Sequence, residues 1–95
     1  MNERAYGAEY YGRLRERLRD LLVALDGRLP LDDRRLVAEL VEANECGLAL
    51  LTIGDALAEE SIPVDDAVSK EIIDLAGEMG LSSEVADGLH PASIG

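Results

Sequence analysis

The chain has 95 residues, 47% of them hydrophobic, with one cysteine and a formal net charge of −11 at neutral pH. These values fit a single domain over residues 1–95 with a modest core, and they exclude a disulfide framework and a membrane-spanning helix, which needs ~20 apolar residues. The segment after Met1 has no apolar run that could form a signal peptide, so we expect a cytoplasmic protein.

Apolar residues at helical spacing predict a first helix from about Ala8 to Asp26, with Tyr10 and five leucines on its apolar face. Gly27 supplies a C-terminal stop, and Pro30 prevents the helix from continuing. Arginine occupies alternate positions in the middle of this helix: Arg13, Arg15, Arg17 and Arg19. This spacing spreads the arginines around the helix, and we expect them to be solvated or paired with acidic side chains of the same chain; contact with a protein partner or with nucleic acid is the alternative.

Two further helices are predicted with a very short turn between them. The second begins at Asp32, whose side chain can cap the free amides, and Leu31 is placed to pack on Leu36 as a hydrophobic staple. Asn44 ends this helix, because asparagine tolerates the left-handed backbone found at helix ends. The third helix, from about Glu45 to Glu60, is apolar on more than one side, so we expect it to be the most buried.

The last part of the chain is predicted to add one long and one short helix. Asp65 caps a fourth helix that reaches about Met79. Ser82 or Ser83 then caps a short fifth helix toward Leu89. Because no segment alternates in a way that demands a strand, the expected fold is all-α, a compact four-helix bundle with a short fifth C-terminal helix.

The sequence contains no pattern typical of catalysis, of a metal site or of a cofactor site. A Gly-rich phosphate loop, paired-cysteine spacing, HExxH and a calcium loop are all absent. Cys46 lies on an apolar stripe with no histidine in helical reach, which favours a buried small side chain. His90 precedes a proline and has nothing nearby to orient it as a base. We therefore expect no enzyme activity and no cofactor.

Two known types of helical protein are alternative interpretations of this helical pattern. Acidic carrier proteins attach phosphopantetheine to a serine in an Asp-Ser-Leu motif, and here Ala56 replaces that serine between Asp55 and Leu57. A helix-turn-helix regulator would read DNA with the third helix. That helix offers no Arg, Lys, Asn or Gln between Cys46 and Glu60 to contact bases. Neither activity is expected.

The charge is distributed unevenly along the chain. Residues 1–35 carry a net charge of +1 and residues 36–95 carry −12. The second part repels phosphate backbones, so we expect no nucleic-acid partner, and it attracts a basic protein instead. All three aromatic residues are tyrosines near the start, and tyrosine often anchors protein interfaces. The candidate partner-binding residues are Glu39, Glu42, Glu45, Asp55, Glu59, Glu60, Tyr6 and Tyr10.

The segment from Leu36 to Val64 combines these features in one order. An acidic helix ends in Ala43-Asn44-Glu45, followed by Gly47-Leu48-Ala49-Leu50, Asp55-x-Leu57-x-Glu59 and Ile62-Pro63-Val64. This arrangement resembles the MafI-type family of small bacterial immunity proteins. The resemblance implies a protein that binds and neutralises the C-terminal domain of a cognate polymorphic toxin. An acidic helical scaffold or adaptor domain, as a monomer or a homodimer and without a toxin partner, is the alternative interpretation.

Overall fold

The computed structural model describes residues 7–82, 85 and 90–91, and the described residues form four α-helices. These are α1 (Gly7–Ala24), α2 (Leu31–Glu42), α3 (Cys46–Glu59) and α4 (Asp66–Glu78). The predicted helical bundle is therefore confirmed, with α1 ending two residues earlier than expected. The predicted fifth helix toward Leu89 falls largely on residues outside this description.

Helix α3 is the most buried of the four, as its apolar pattern predicted. Half of its 14 residues are buried, and it contacts each of the other three helices. Leu50, Ile53 and Leu57 are fully inaccessible to solvent. The buried core of the described residues is entirely aliphatic apart from the Cys46 side chain, and the tyrosines lie outside it. Burying each large apolar side chain contributes about 2 kcal/mol, so these three residues make α3 a substantial contributor to stability.

Helices that follow one another in the chain run in opposite directions, and one end of the bundle brings four helix ends together. The hydroxyl of Tyr10, in the first turns of α1, donates to the carbonyl oxygen of Glu78 at the end of α4 over 3.2 Å. The side chain of Arg15 reaches Asn44, which lies just after α2. Helix α3 starts two residues after Asn44. This end therefore contains the starts of α1 and α3 and the ends of α2 and α4.

The turns after α1 and α2 use the left-handed backbone that the sequence predicted. Gly27 has a φ of +82°, a conformation that costs glycine little. Asn44 has a φ of +63°, which confirms the asparagine as the break between α2 and α3. The short turn at Asn44 lets α2 and α3 pack along their length, and theirs is the most extensive helix contact in the fold.

The start of α2 differs from the prediction. The helix begins at Leu31, its N-cap is Pro30 with φ −57° and ψ 148°, and no side chain caps it. Asp32 is already inside the helix, and a capping residue needs non-helical dihedral angles, so the predicted cap at Asp32 is wrong. Leu31 is 58% exposed and Leu36 is 45% exposed, so the predicted hydrophobic staple does not form either.

The described residues also contain a small strand pairing that the sequence did not indicate. Strand β1 (Pro63–Val64) pairs in parallel with β2 (His90–Pro91), with Pro63 opposite His90 and Val64 opposite Pro91. Two residues are too few to show the alternating pattern by which a strand is recognised in sequence. The pairing joins the chain after α4 to the connection between α3 and α4.

The predicted cap at Asp65 is confirmed and can be tested. Asp65 is extended, with φ −78° and ψ 174°, and its Oδ1 accepts from the backbone amide of Val68 at 2.9 Å. We expect Asp65→Ala to lower the free energy of unfolding by about 1 kcal/mol, because that amide loses its partner. Asp32→Ala is the control, since it removes an acid from a first helical turn without removing a cap. Urea denaturation followed by circular dichroism measures both, and equal losses would contradict the cap.

Candidate protein-interaction surface

The arginines of α1 are used to hold neighbouring helices. Arg17 donates from Nε and Nη2 to the two carboxylate oxygens of Glu71 at 2.8 and 3.3 Å, and from Nη1 to Glu78 at 3.4 Å. The hydrogen bond to Glu71 is the main cause that raises the pKa of Arg17 above its ordinary value. Arg19 donates to Glu42 at 3.0 Å. The expected pairing within the chain is therefore observed for Arg17 and Arg19.

The six predicted acids all lie on the solvent side of α2, α3 and the turns that follow them. They are exposed, and we call them the acidic hairpin surface: Glu39, Glu42, Glu45, Asp55, Glu59 and Glu60. Glu42 is paired with Arg19. Within the part of the chain that the structure describes, the other five make no ion pair. Their negative charge is therefore available to an outside partner.

The acidic hairpin surface is extended along the bundle. Asp55 and Glu59 are one turn apart on α3, so their side chains share its solvent face. Glu45 precedes the first turn of the same helix, about 21 Å from Glu59 along the helix axis. The surface therefore presents charge along the length of α3 and does not form one compact cluster.

A groove of about 600 Å³ opens at the end of the bundle where α1 and α3 begin. We call it the tyrosine groove, and its main lining residues are Tyr10, Tyr11, Glu45, Leu48, Glu78 and Met79. It brings together two residues that the sequence analysis chose independently, Tyr10 from the aromatic start and Glu45 from the acidic set. An aromatic anchor position and an acidic residue therefore meet at one site.

The two described tyrosines have different roles in this groove. Their rings are 5.2 Å apart between centroids and inclined at 71°, an edge-to-face pair. Tyr10 is half-buried and bonded to the Glu78 carbonyl, so it clamps α1 to α4. Tyr11 is 42% exposed and presents its side chain to solvent. Tyr6, the remaining predicted contact residue, lies outside the described residues.

Sequence reasoning did not select two exposed residues of the groove, Tyr11 and Leu48. Leu48 is 52% exposed, although it belongs to the most apolar helix of the chain. The signal that could have found it is its position off the apolar stripe of α3. Large exposed apolar side chains that gather in one concave site are typical of interaction surfaces.

The turn between α2 and α3 sets the position of Glu45. The Oδ1 atom of Asn44 accepts from Nη1 of Arg15 at 2.8 Å and lies 3.9 Å from Sγ of Cys46. Cys46 is only 3% exposed, which confirms the predicted buried side chain, and burial raises the pKa of its thiol. A protonated, inaccessible thiol is a poor nucleophile, so this part of the groove offers a contact surface instead of a reactive group.

The described residues contain neither a cluster that could hold a metal ion nor a helix that could span a membrane. No three His, Cys, Asp or Glu side chains among them converge in a way that could hold a metal ion. None of the described helices combines the length and apolar character needed to cross a membrane. No protein-family model, curated protein or solved structure compared with the chain matches it.

The left-handed residue in the turn gives a stability test. We expect Asn44→Ala to lower the free energy of unfolding by about 2 kcal/mol, because alanine strains at positive φ and cannot bond Arg15. Asn44→Gly accepts the backbone geometry and loses only the hydrogen bond, so its loss should be about half as large. Urea denaturation compares the two variants. If both substitutions lower the free energy of unfolding by the same amount, the tolerance of asparagine for a left-handed backbone is not the reason that Asn44 stabilises the turn.

Proposed function

We propose that this protein is an immunity protein that binds the C-terminal domain of a cognate toxin in a one-to-one complex. It would block the toxin by occlusion in the cytoplasm and would have no catalytic activity of its own. The observation that supports this proposal is the set of five exposed acids on α2, α3 and their turns that make no ion pair among the described residues. The resemblance of Leu36 to Val64 to immunity proteins points to the same class of function.

The charge of the acidic hairpin surface gives such a protein a physical means of finding its target. A surface of one sign accelerates encounter with a partner of the opposite sign and disfavours partners of the same sign. A toxin that cleaves nucleic acid must attract phosphate, so the surface around its active site is positive. The acidic hairpin surface can then cover that site or lie beside it and exclude the nucleic acid.

Co-expression tests the proposal directly. The protein is expressed together with the toxin domain encoded beside it, and cell survival and co-purification are measured. Rescue of growth with a stable one-to-one complex is expected. Persistent toxicity without a complex would overturn the proposal and would favour the alternative, an acidic scaffold or adaptor domain.

Charge reversal tests which surface is used. We expect Asp55→Lys combined with Glu59→Lys to slow association with the toxin domain by about tenfold at low salt and to weaken its salt dependence. Both side chains are exposed and unpaired in the described part of the chain, so helicity should be unchanged. Stopped-flow or biosensor kinetics over a range of salt concentrations measures the effect. Glu42 is left intact, because its reversal would also break the ion pair with Arg19.

Glu16→Lys combined with Asp20→Lys is a matched control. These two acids are also exposed and one helical turn apart, but they lie on α1. The control changes the net charge by the same amount, so an effect of total charge alone would slow both double variants equally. Equal slowing, or unchanged association of the α3 variant, would exclude the acidic hairpin surface as the steering surface.

A further inference from the structure

The tyrosine groove has a net negative character that comes from side chains. Two helices begin and two helices end at this end of the bundle, so their dipoles oppose one another in pairs. Among the described residues, the charged side chains that line the groove are the carboxylates of Glu45 and Glu78. Glu45 makes no ion pair among the described residues, and Glu78 is 44% exposed with one oxygen 3.4 Å from Arg17. A cation is therefore favoured over an anion in this groove.

The arginines of α1 near this site are already engaged. Arg15 donates to the side chain of Asn44 at 2.8 Å, and Arg17 holds both oxygens of Glu71. Neither arginine lines the groove. Among the described residues, no arginine or lysine is therefore paired with Glu45.

The remaining lining is apolar and aromatic. Leu48 is exposed, Leu51 and Met79 are half-buried against the core, and the ring of Tyr11 forms part of the wall. An arginine side chain matches this combination better than an aliphatic residue or a lysine. Its methylene stem packs on apolar surface, while its planar guanidinium stacks on an aromatic ring and donates to a carboxylate through a fixed fork.

We propose that the tyrosine groove binds the side chain of an arginine from the basic surface of the toxin domain. The inference rests on the proposed function, because it names the chemistry by which that partner is held. A second copy of this chain is a poor occupant, since two molecules that each carry a net charge of −11 repel each other. The volume of about 600 Å³ accommodates the arginine and part of the adjoining partner chain.

A titration without the toxin tests the groove by itself. The ¹⁵N-labelled protein is titrated with the blocked tripeptide acetyl-Gly-Arg-Gly-amide and, separately, with the same tripeptide containing citrulline. Citrulline has nearly the same shape as arginine and no charge. We expect saturable shifts of the Gly47 and Leu48 amide signals, with about tenfold weaker binding of the citrulline peptide. Equal binding of the two peptides, or no shift at these amides, would overturn the proposal.

Single substitutions test separately what the Glu45 carboxylate and the Tyr11 ring contribute to binding. We expect Glu45→Gln and Tyr11→Leu each to weaken binding of the arginine tripeptide by about fivefold or more. Glu39→Gln is the matched control, because this acid is also exposed but does not line the groove. Circular dichroism confirms that all three variants are folded. An equal effect of Glu39→Gln and Glu45→Gln would overturn the proposal, because it would show attraction by total charge without a site.

The same variants in complex with the toxin domain distinguish the two proposals. If the wild-type protein binds the toxin and Glu45→Gln raises the dissociation constant about tenfold while Glu39→Gln does not, both proposals are supported. If the wild type binds and the groove variants bind equally well, the groove proposal fails and the proposed function stands. If the wild type does not bind, the proposed function fails, and the tripeptide titration still decides whether the groove takes arginine. Tripeptide binding that requires removal of residues 1–6 would assign the groove to this chain's own N-terminal segment and overturn the proposal.

Discussion

Helix α3 is surrounded by the other three helices, and the rest of the structure depends on how its apolar residues are buried. Ile53 and Leu57 are inaccessible, and with no tyrosine in the buried core of the described residues the packing relies on many aliphatic side chains of similar size. Such packing excludes water along the length of α3 and leaves its polar residues on one narrow face. Asp55 and Glu59 lie on that face. The burial of the apolar side of α3 therefore determines that these two acids remain exposed.

Electrostatic contacts have a different role from the core. The Arg17 and Arg19 side chains remain 31% and 47% exposed, and ion pairs at such sites contribute only about 0 to 1 kcal/mol each. Their main effect is on orientation and on charge distribution. By pairing with acids of α4 and with Glu42, these arginines offset part of the negative charge of the neighbouring helices, and the acids of α3 have no basic partner in the described structure. Residues 1–35, with a net charge of +1, therefore do not cancel the negative charge of α3.

Features that depend on a few consecutive residues could be predicted from the sequence, and features that depend on helix packing could not. The Asp65 cap and the turns at Gly27 and Asn44 follow from local backbone chemistry, and all three are observed. The cap at Asp32 was wrong because Pro30 also suits the position before a helix, and sequence alone could not rank the two. The tyrosine groove was beyond prediction, because α1, α3 and α4 form it together from residues as distant in sequence as Tyr11 and Met79.

Glu45 connects the acidic hairpin surface with the tyrosine groove, and the two act over different distances. Exposed charges in physiological salt are felt over about 8 Å, so under the proposed function the acids along α3 would influence a partner before contact but would not hold it in one orientation. A groove with an aromatic wall and a carboxylate acts only after contact, and it discriminates by shape and hydrogen-bond geometry. Most differences in affinity between related complexes arise from differences in the dissociation rate. Under the proposed function, discrimination between partners would therefore depend mainly on the groove. The short turn at Asn44 joins the two surfaces, because it holds Glu45 where the acidic hairpin surface ends and the groove begins.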